Sequence, residues 1–185
     1  MVNFNLVYLV WLLSEIILNI LTRSGAKDLK QKDKGSMLTG WVMITVAIAA
    51  GITCAIYTSF FILPTMLMYY IGIAILVLGM VIRFTAIWQL GKMFTVDVTI
   101  RHNHRIKKDG LYSVLRHPSY TGMLLSFAGF GLSLNNYLSV VVVVILVFAF
   151  MLYRIGIEEK VLKEQFGEEY ETYCKNTYRL IPFVY

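Results

Sequence analysis

Apolar runs longer than a soluble core needs recur along the chain, and they decide the solvent in which it folds. A helix crosses a ~30 Å hydrocarbon layer with roughly 17–25 residues. Runs approaching or exceeding that length lie at Phe4–Leu21, Met37–Leu63, Thr65–Leu90, Ser119–Leu134 and Tyr137–Tyr153. Charged residues make up 15% of the 185, against ~25% in soluble domains, so lipid is the expected surroundings. We therefore expect an all-α integral membrane protein of about five transmembrane helices, ending in a cytoplasmic helical tail over Arg154–Tyr185.

Local signals set the boundaries. Pro64 breaks the second run from the third, making a tight hairpin. Pro118 fits the first turn of the fourth helix, where a missing N–H costs nothing, and Asn135-Asn136 supplies the turn before the fifth. Val140–Val144 favours a strand in water, but an unpaired strand in lipid leaves its backbone unsatisfied, so helix is expected. The connection from Gly91 to His117 mixes β-branched and basic residues, a pattern that specifies neither helix nor strand. The first run lacks a basic leader and a small-residue cleavage site, so it reads as a retained helix.

The net charge of +6 raises nucleic acid as a partner, but the positions of the cations decide against it. With five spans, Arg83 is the one basic residue of the 17 outside the first loop, the third loop and the tail. Lysine and arginine are retained on the cytoplasmic side, which puts the N-terminus outside and the C-terminus in the cytoplasm. Cys54 and Cys174 fall in unlike surroundings and no Cys/His cluster occurs, so neither a disulfide nor a metal site is expected.

Four features carry possible chemistry. Arg83 lies inside the third span, where an arginine either faces a site or snorkels to the nearby loop; Glu15 is a similar intrusion in the first. The segment HRIKKDGLYSVLRHPSYTG, residues 104–122, joins two histidines and several cations to a helix start, which suits a carboxylate or phosphate. Headgroup binding by a basic loop, with His117 capping the helix, is the plainer reading of the same residues. Gly122, Ser126 and Gly129 form a side-chain-poor strip, fit for close helix packing or for a flat cofactor. Arg154, Glu158, Leu162 and Phe166 share one face of RIGIEEKVLKEQF, either as a polar pocket or as an ion pair at the membrane edge, and Glu159 projects about 100° away.

Taken in order, LGKMF, His104 with DGLY, RHPSYTG, RIGIEE, FGEEY and LIPFVY resemble the isoprenylcysteine carboxyl methyltransferase family over Gly79–Tyr185. The resemblance implies one membrane methyltransferase domain over residues 1–185. Residues 1–64 are motif-free helices and 79–185 the cofactor-binding and catalytic part. It implies S-adenosyl-L-methionine as cofactor, held by His104, Ile106, Lys107, Tyr112, His117, Pro118, Ser119, Tyr120, Glu158 and Glu159. Arg154 and Glu158 are the expected catalytic pair, with Arg154 and Arg83 on the substrate side. The implied acceptor is the carboxylate of a lipophilic or prenylated substrate reached from membrane lipid, with no nucleic acid and no metal. Asp97 and the basic Arg105-Ile106-Lys107 depart from the family pattern. Phospholipid N-methyltransferases share the His-Pro and Glu-Glu elements but carry a GxG that is missing here. NADPH-dependent sterol reductases share RHPxYxG, typically with an Arg-Asp pair where Glu158-Glu159 stand. A non-enzymatic scaffold with a basic face is the remaining alternative.

Overall fold

The computed structural model describes residues 4–22, 30–31, 36–62, 65–95, 99–100 and 105–184. It consists of helices α1 (Phe4–Leu21), α2 (Ser36–Tyr57), α3 (Thr65–Leu90), α4 (Pro118–Ser133), α5 (Tyr137–Phe166) and α6 (Glu168–Lys175). One pair of two-residue strands, β1 (Lys30–Gln31) and β2 (Thr99–Ile100), ties the two loops of one end together in antiparallel register.

Among the described residues, three helices, α2, α3 and α5, are long and apolar enough to cross a membrane. At 1.5 Å per residue, the 16 residues of α4 reach only about 24 Å. The 30 residues of α5 reach about 45 Å, half as long again as the ~30 Å hydrocarbon layer. The surface fits lipid rather than water. Leu9, Ile17, Val42, Leu78 and Ile145 are all exposed, whereas Ser126, Asn136 and Ser139 are wholly buried. Polar groups inside and hydrocarbon outside is the arrangement a bilayer rewards, provided each buried polar group finds a partner. Ser139 donates to Gly51 O and Ser126 to Leu76 O and Gly122 O.

The small-residue strip on α4 turns out to be a packing seam. Gly122, Ser126 and Gly129 face Gly79 and Gly72 of α3, so closely that a Cβ on any of the four glycines would run into the opposite backbone. Van der Waals contact between bare backbones is the main attraction available to helices already in lipid. The flat-cofactor reading of that strip is thereby corrected: α3 covers it. Trp11 of α1 then packs edge-on against Phe127 of α4, with ring centroids 4.8 Å apart, and both join the core with Leu76, Val147, Met151 and Ile155.

Two boundaries differ from the sequence expectation. α2 stops at Tyr57 instead of continuing toward Leu63, because Asn136 intercepts the chain there. Its amide donates to Thr58 O and Thr58 Oγ1, and its side-chain oxygen caps α5 through Ser139 N. The expected break near Tyr153 is absent: α5 runs on unbroken through Arg154, Glu158 and Glu159 to Phe166. Gly167, with φ of 51°, then turns the chain into α6. What read as a separate tail is therefore first an extension of a core helix. That extension carries the Arg-Glu pair rigidly to the end of the bundle.

Candidate active site

At the end where α1 and α3 finish and α2 and α4 begin, a cavity opens between the helices and the loop after α3. Its apolar side is made by Trp11, Trp41, Ile44, Phe127 and Phe150, and its polar side by the α4 start and the α5 extension.

The loop is seated by two devices. Gln89 of α3 accepts a hydrogen bond from Leu111 N at 2.9 Å, under a turn in which Gly110 has φ of 62° and no room for a side chain. Tyr112 donates to Ala86 O, and its own carbonyl accepts from Tyr173 of α6 at 2.7 Å. Burial pushes both phenols above the ordinary tyrosine range, so they remain donors. The C-terminal segment closes the arrangement: Arg116 N donates to Tyr178 O, His117 N to Arg179 O, and Thr121 Oγ1 to Leu180 O.

His117 is the N-cap residue of α4, but its side chain makes no capping bond. The imidazole instead lies between two carboxylates, Nε2 being 3.3 Å from Glu159 and Nδ1 3.8 Å from Glu158. The capping role is thereby replaced by a link to α5. Tyr120, one turn into α4, lies with its ring centroid 5.7 Å from that of His117 and lines the cavity together with Arg154 and Glu158.

Arg83 does not snorkel. Its Nε and Nη2 donate to the two oxygens of Glu15 at 2.6 and 2.8 Å, and Nη1 donates to Ser119 Oγ at 3.0 Å. The bidentate geometry is the strong form of an arginine–carboxylate pair. It ties α1, α3 and the α4 start together inside the cavity wall.

Of the residues expected from the sequence, Ile106, Lys107, Tyr112, His117, Ser119, Tyr120, Arg154, Glu158 and Arg83 come together on this one cavity. Pro118 and Glu159 do not line it. Pro118 is packed beneath the helix start, and Glu159 faces behind the wall, where it accepts from Arg116 Nε, Arg179 Nε, Arg179 Nη2 and His117. One helical step separates Glu158 from Glu159, and that rotation sends one to the cavity and the other to the scaffold. His104 and Asp97 lie outside the described residues.

Sequence reasoning missed the contribution of the first two helices, which carry no motif yet supply Trp11, Glu15 and Trp41. The available signal was Glu15 itself, a charge in an apolar span matched by a charge of opposite sign in another.

The model of the isoprenylcysteine carboxyl methyltransferase family matches residues 70–164, from α3 through the α5 extension. The chain belongs to that family. Protein-S-isoprenylcysteine O-methyltransferase B of Arabidopsis thaliana is 36% identical over 115 residues, 61% of this chain and 58% of that protein. The protein-S-isoprenylcysteine O-methyltransferase of Schizosaccharomyces pombe is 32% identical over 136 residues, 72% of this chain and 58% of its own. The chain spans about three-fifths of the length of the curated relatives it matches. A solved structure of a eukaryotic intramembrane Ras methyltransferase, isoprenylcysteine carboxyl methyltransferase, shares the fold with a TM-score of 0.60. It is 27% identical, and the match covers 80% of this chain and 51% of that one. Family membership and three helices of spanning length make this a membrane protein.

Proposed function

We propose that the chain is an S-adenosylmethionine-dependent methyltransferase acting on the carboxylate of a lipophilic, isoprenylcysteine-like acceptor at the cytoplasmic membrane face. The observation that carries this is the convergence of Arg154, Glu158 and the His117–Tyr120 helix start on one cavity whose other side is aromatic and aliphatic. We read α1 and α4 as the two further crossings, giving five in all. The N-terminus is then outside, and the cavity and the C-terminus are on the basic, cytoplasmic side.

The residues fit the donor's chemistry. Glu158 suits the donor's ammonium or ribose, while the positive end of α4 suits its carboxylate. Ile106, Lys107 and Tyr112 line the same cavity. When bound, S-adenosylmethionine supplies an electrophilic methyl group. Arg154 holds the acceptor carboxylate through a two-pronged charge-assisted contact. A carboxylate is already ionised at pH 7, so the residues need remove no proton. Their work is alignment, with Trp11, Phe127 and Phe150 keeping water away from the reacting atoms.

An amine acceptor has the opposite requirement, because it must lose a proton before it attacks. Supplying radiolabelled donor to the purified chain with a prenylated cysteine or with phosphatidylethanolamine separates the two. The expected label is a base-labile ester on the prenylated cysteine. Label on phosphatidylethanolamine, or on neither, contradicts the assignment.

A further inference from the structure

Tyr170, the tyrosine of FGEEY, has no part in the roles assigned above. It is 1% exposed on α6 and is one of the largest fully buried side chains. Among the described residues, its hydroxyl is the one buried side-chain polar atom without a hydrogen-bond partner, and it belongs to the cavity wall beside Glu158, Val161 and Tyr173. A phenylalanine would bury the same ring without stranding a hydroxyl, and buried polar groups are nearly always satisfied. The neighbouring phenol shows the ordinary outcome, since Tyr173 donates to the Tyr112 carbonyl. The Tyr170 hydroxyl is therefore placed for something that enters the cavity.

Its surroundings limit what that is. Burial and the charges of Glu159 and Glu158 hold the phenol protonated, well above the ordinary tyrosine range. Those same carboxylates disfavour an anion at this point. The nearby Arg116 is already engaged by Glu159 and by the carbonyls of Cys174 and Thr177. A neutral acceptor atom is what remains. The aromatic and aliphatic side of the cavity, suited to a greasy acceptor, is built by α1, α2, α4 and α5, whereas Tyr170 comes from α6.

We propose that Tyr170 is a ligand-binding residue, whose hydroxyl donates a hydrogen bond to a neutral ring nitrogen or hydroxyl oxygen of the nucleoside part of the methyl donor. This rests on the cavity being the donor site. Calorimetry with S-adenosylhomocysteine on the detergent-purified chain, wild type against Tyr170→Phe, tests it together with the ligand-free Tm of both. The expected Kd rises about 3- to 10-fold in the variant, the range for one neutral hydrogen bond. The ligand-free Tm stays the same or rises, because no bond is lost in the empty protein. An unchanged Kd beside a wild type that binds overturns the role of Tyr170 and leaves the donor site standing. A lowered ligand-free Tm assigns the hydroxyl a structural partner and also overturns it. No binding by the wild type overturns the donor site itself, and the role of Tyr170 with it.

Discussion

Replacing Arg154 with alanine is expected to lower kcat/KM for methyl transfer by about 100- to 1,000-fold, the usual effect of removing a preorganised charged donor. The side chain is buried, lines the cavity and is held on a helix that extends without a break from the core. Its position is thus fixed before any acceptor arrives. Arg154→Lys is expected to recover only part of the loss, since an ammonium keeps the charge but not the planar two-pronged contact. Affinity for S-adenosylhomocysteine should stay near that of the wild type, because the arginine is assigned to the acceptor and Glu158 to the donor. Steady-state kinetics with a prenylated cysteine, alongside calorimetry, checks both halves. Full activity in Arg154→Ala would remove the residue from the mechanism.

The second large effect is on stability and comes from Glu159. One carboxylate there accepts from Arg116, Arg179 and His117, at 3.1, 2.7 and 3.3 Å for the nearest atom pairs. It thereby joins α5 to the loop before α4 and to the C-terminal segment. Its side chain is 9% exposed and that of Arg116 12%, so loss of the carboxylate leaves the Arg116 guanidinium bonded to the carbonyls of Cys174 and Thr177 but without its counter-charge and with little water to replace it. Arg179, at 33%, rehydrates more easily and adds less. Breaking a buried pair from one side costs about 3 kcal/mol or more. In a chain of this size that corresponds to a fall in Tm of roughly 10 °C. Thermal unfolding of Glu159→Ala in detergent measures it, and an unchanged Tm would show that the network contributes nothing net. By contrast Glu158→Gln, one residue earlier, should lower donor affinity with little change in Tm. Adjacent glutamates with opposite consequences are a sharp test of the rotation that separates them.

What could be read in advance follows from how each feature is encoded. α1 and α3 begin and end where the apolar runs do, because in lipid the run and the helix obey the same length requirement. The end of α2 was not legible, since it is set by Asn136, far along the chain. The continuity of α5 was hidden for another reason. The sequence turns from valine-rich to charged at Arg154, which marks a change of solvent and not a change of backbone. Hydropathy reports the former, while RIGIEEKVLKEQF is a good helix in either.

The cavity wall was legible where chemistry is concentrated in short motifs and illegible where it is shared between distant helices. His117, Tyr120, Arg154 and Glu158 sit in ordered motifs, and they do line one cavity. Glu15 and Arg83 are 68 residues apart, and only the packing of α1 against the bundle brings them into a bidentate pair. Tyr170 was visible as a letter in FGEEY, but its unsatisfied hydroxyl is a property of three-dimensional burial. The glycine seam was ambiguous in one helix, since small residues admit either a helix or a ligand. The matching Gly72 and Gly79 of α3 settle it.

In the proposed mechanism one cavity receives the donor between Glu158 and the start of α4, with Arg154 left facing the acceptor. An experimental structure of the full chain with S-adenosylhomocysteine bound tests it most directly. Ligand density is expected in this cavity, with polar ligand atoms in hydrogen-bonding distance of the Glu158 carboxylate and of the His117–Tyr120 helix start. Density on another face of the molecule, or a ligand whose polar atoms avoid both groups, would contradict it.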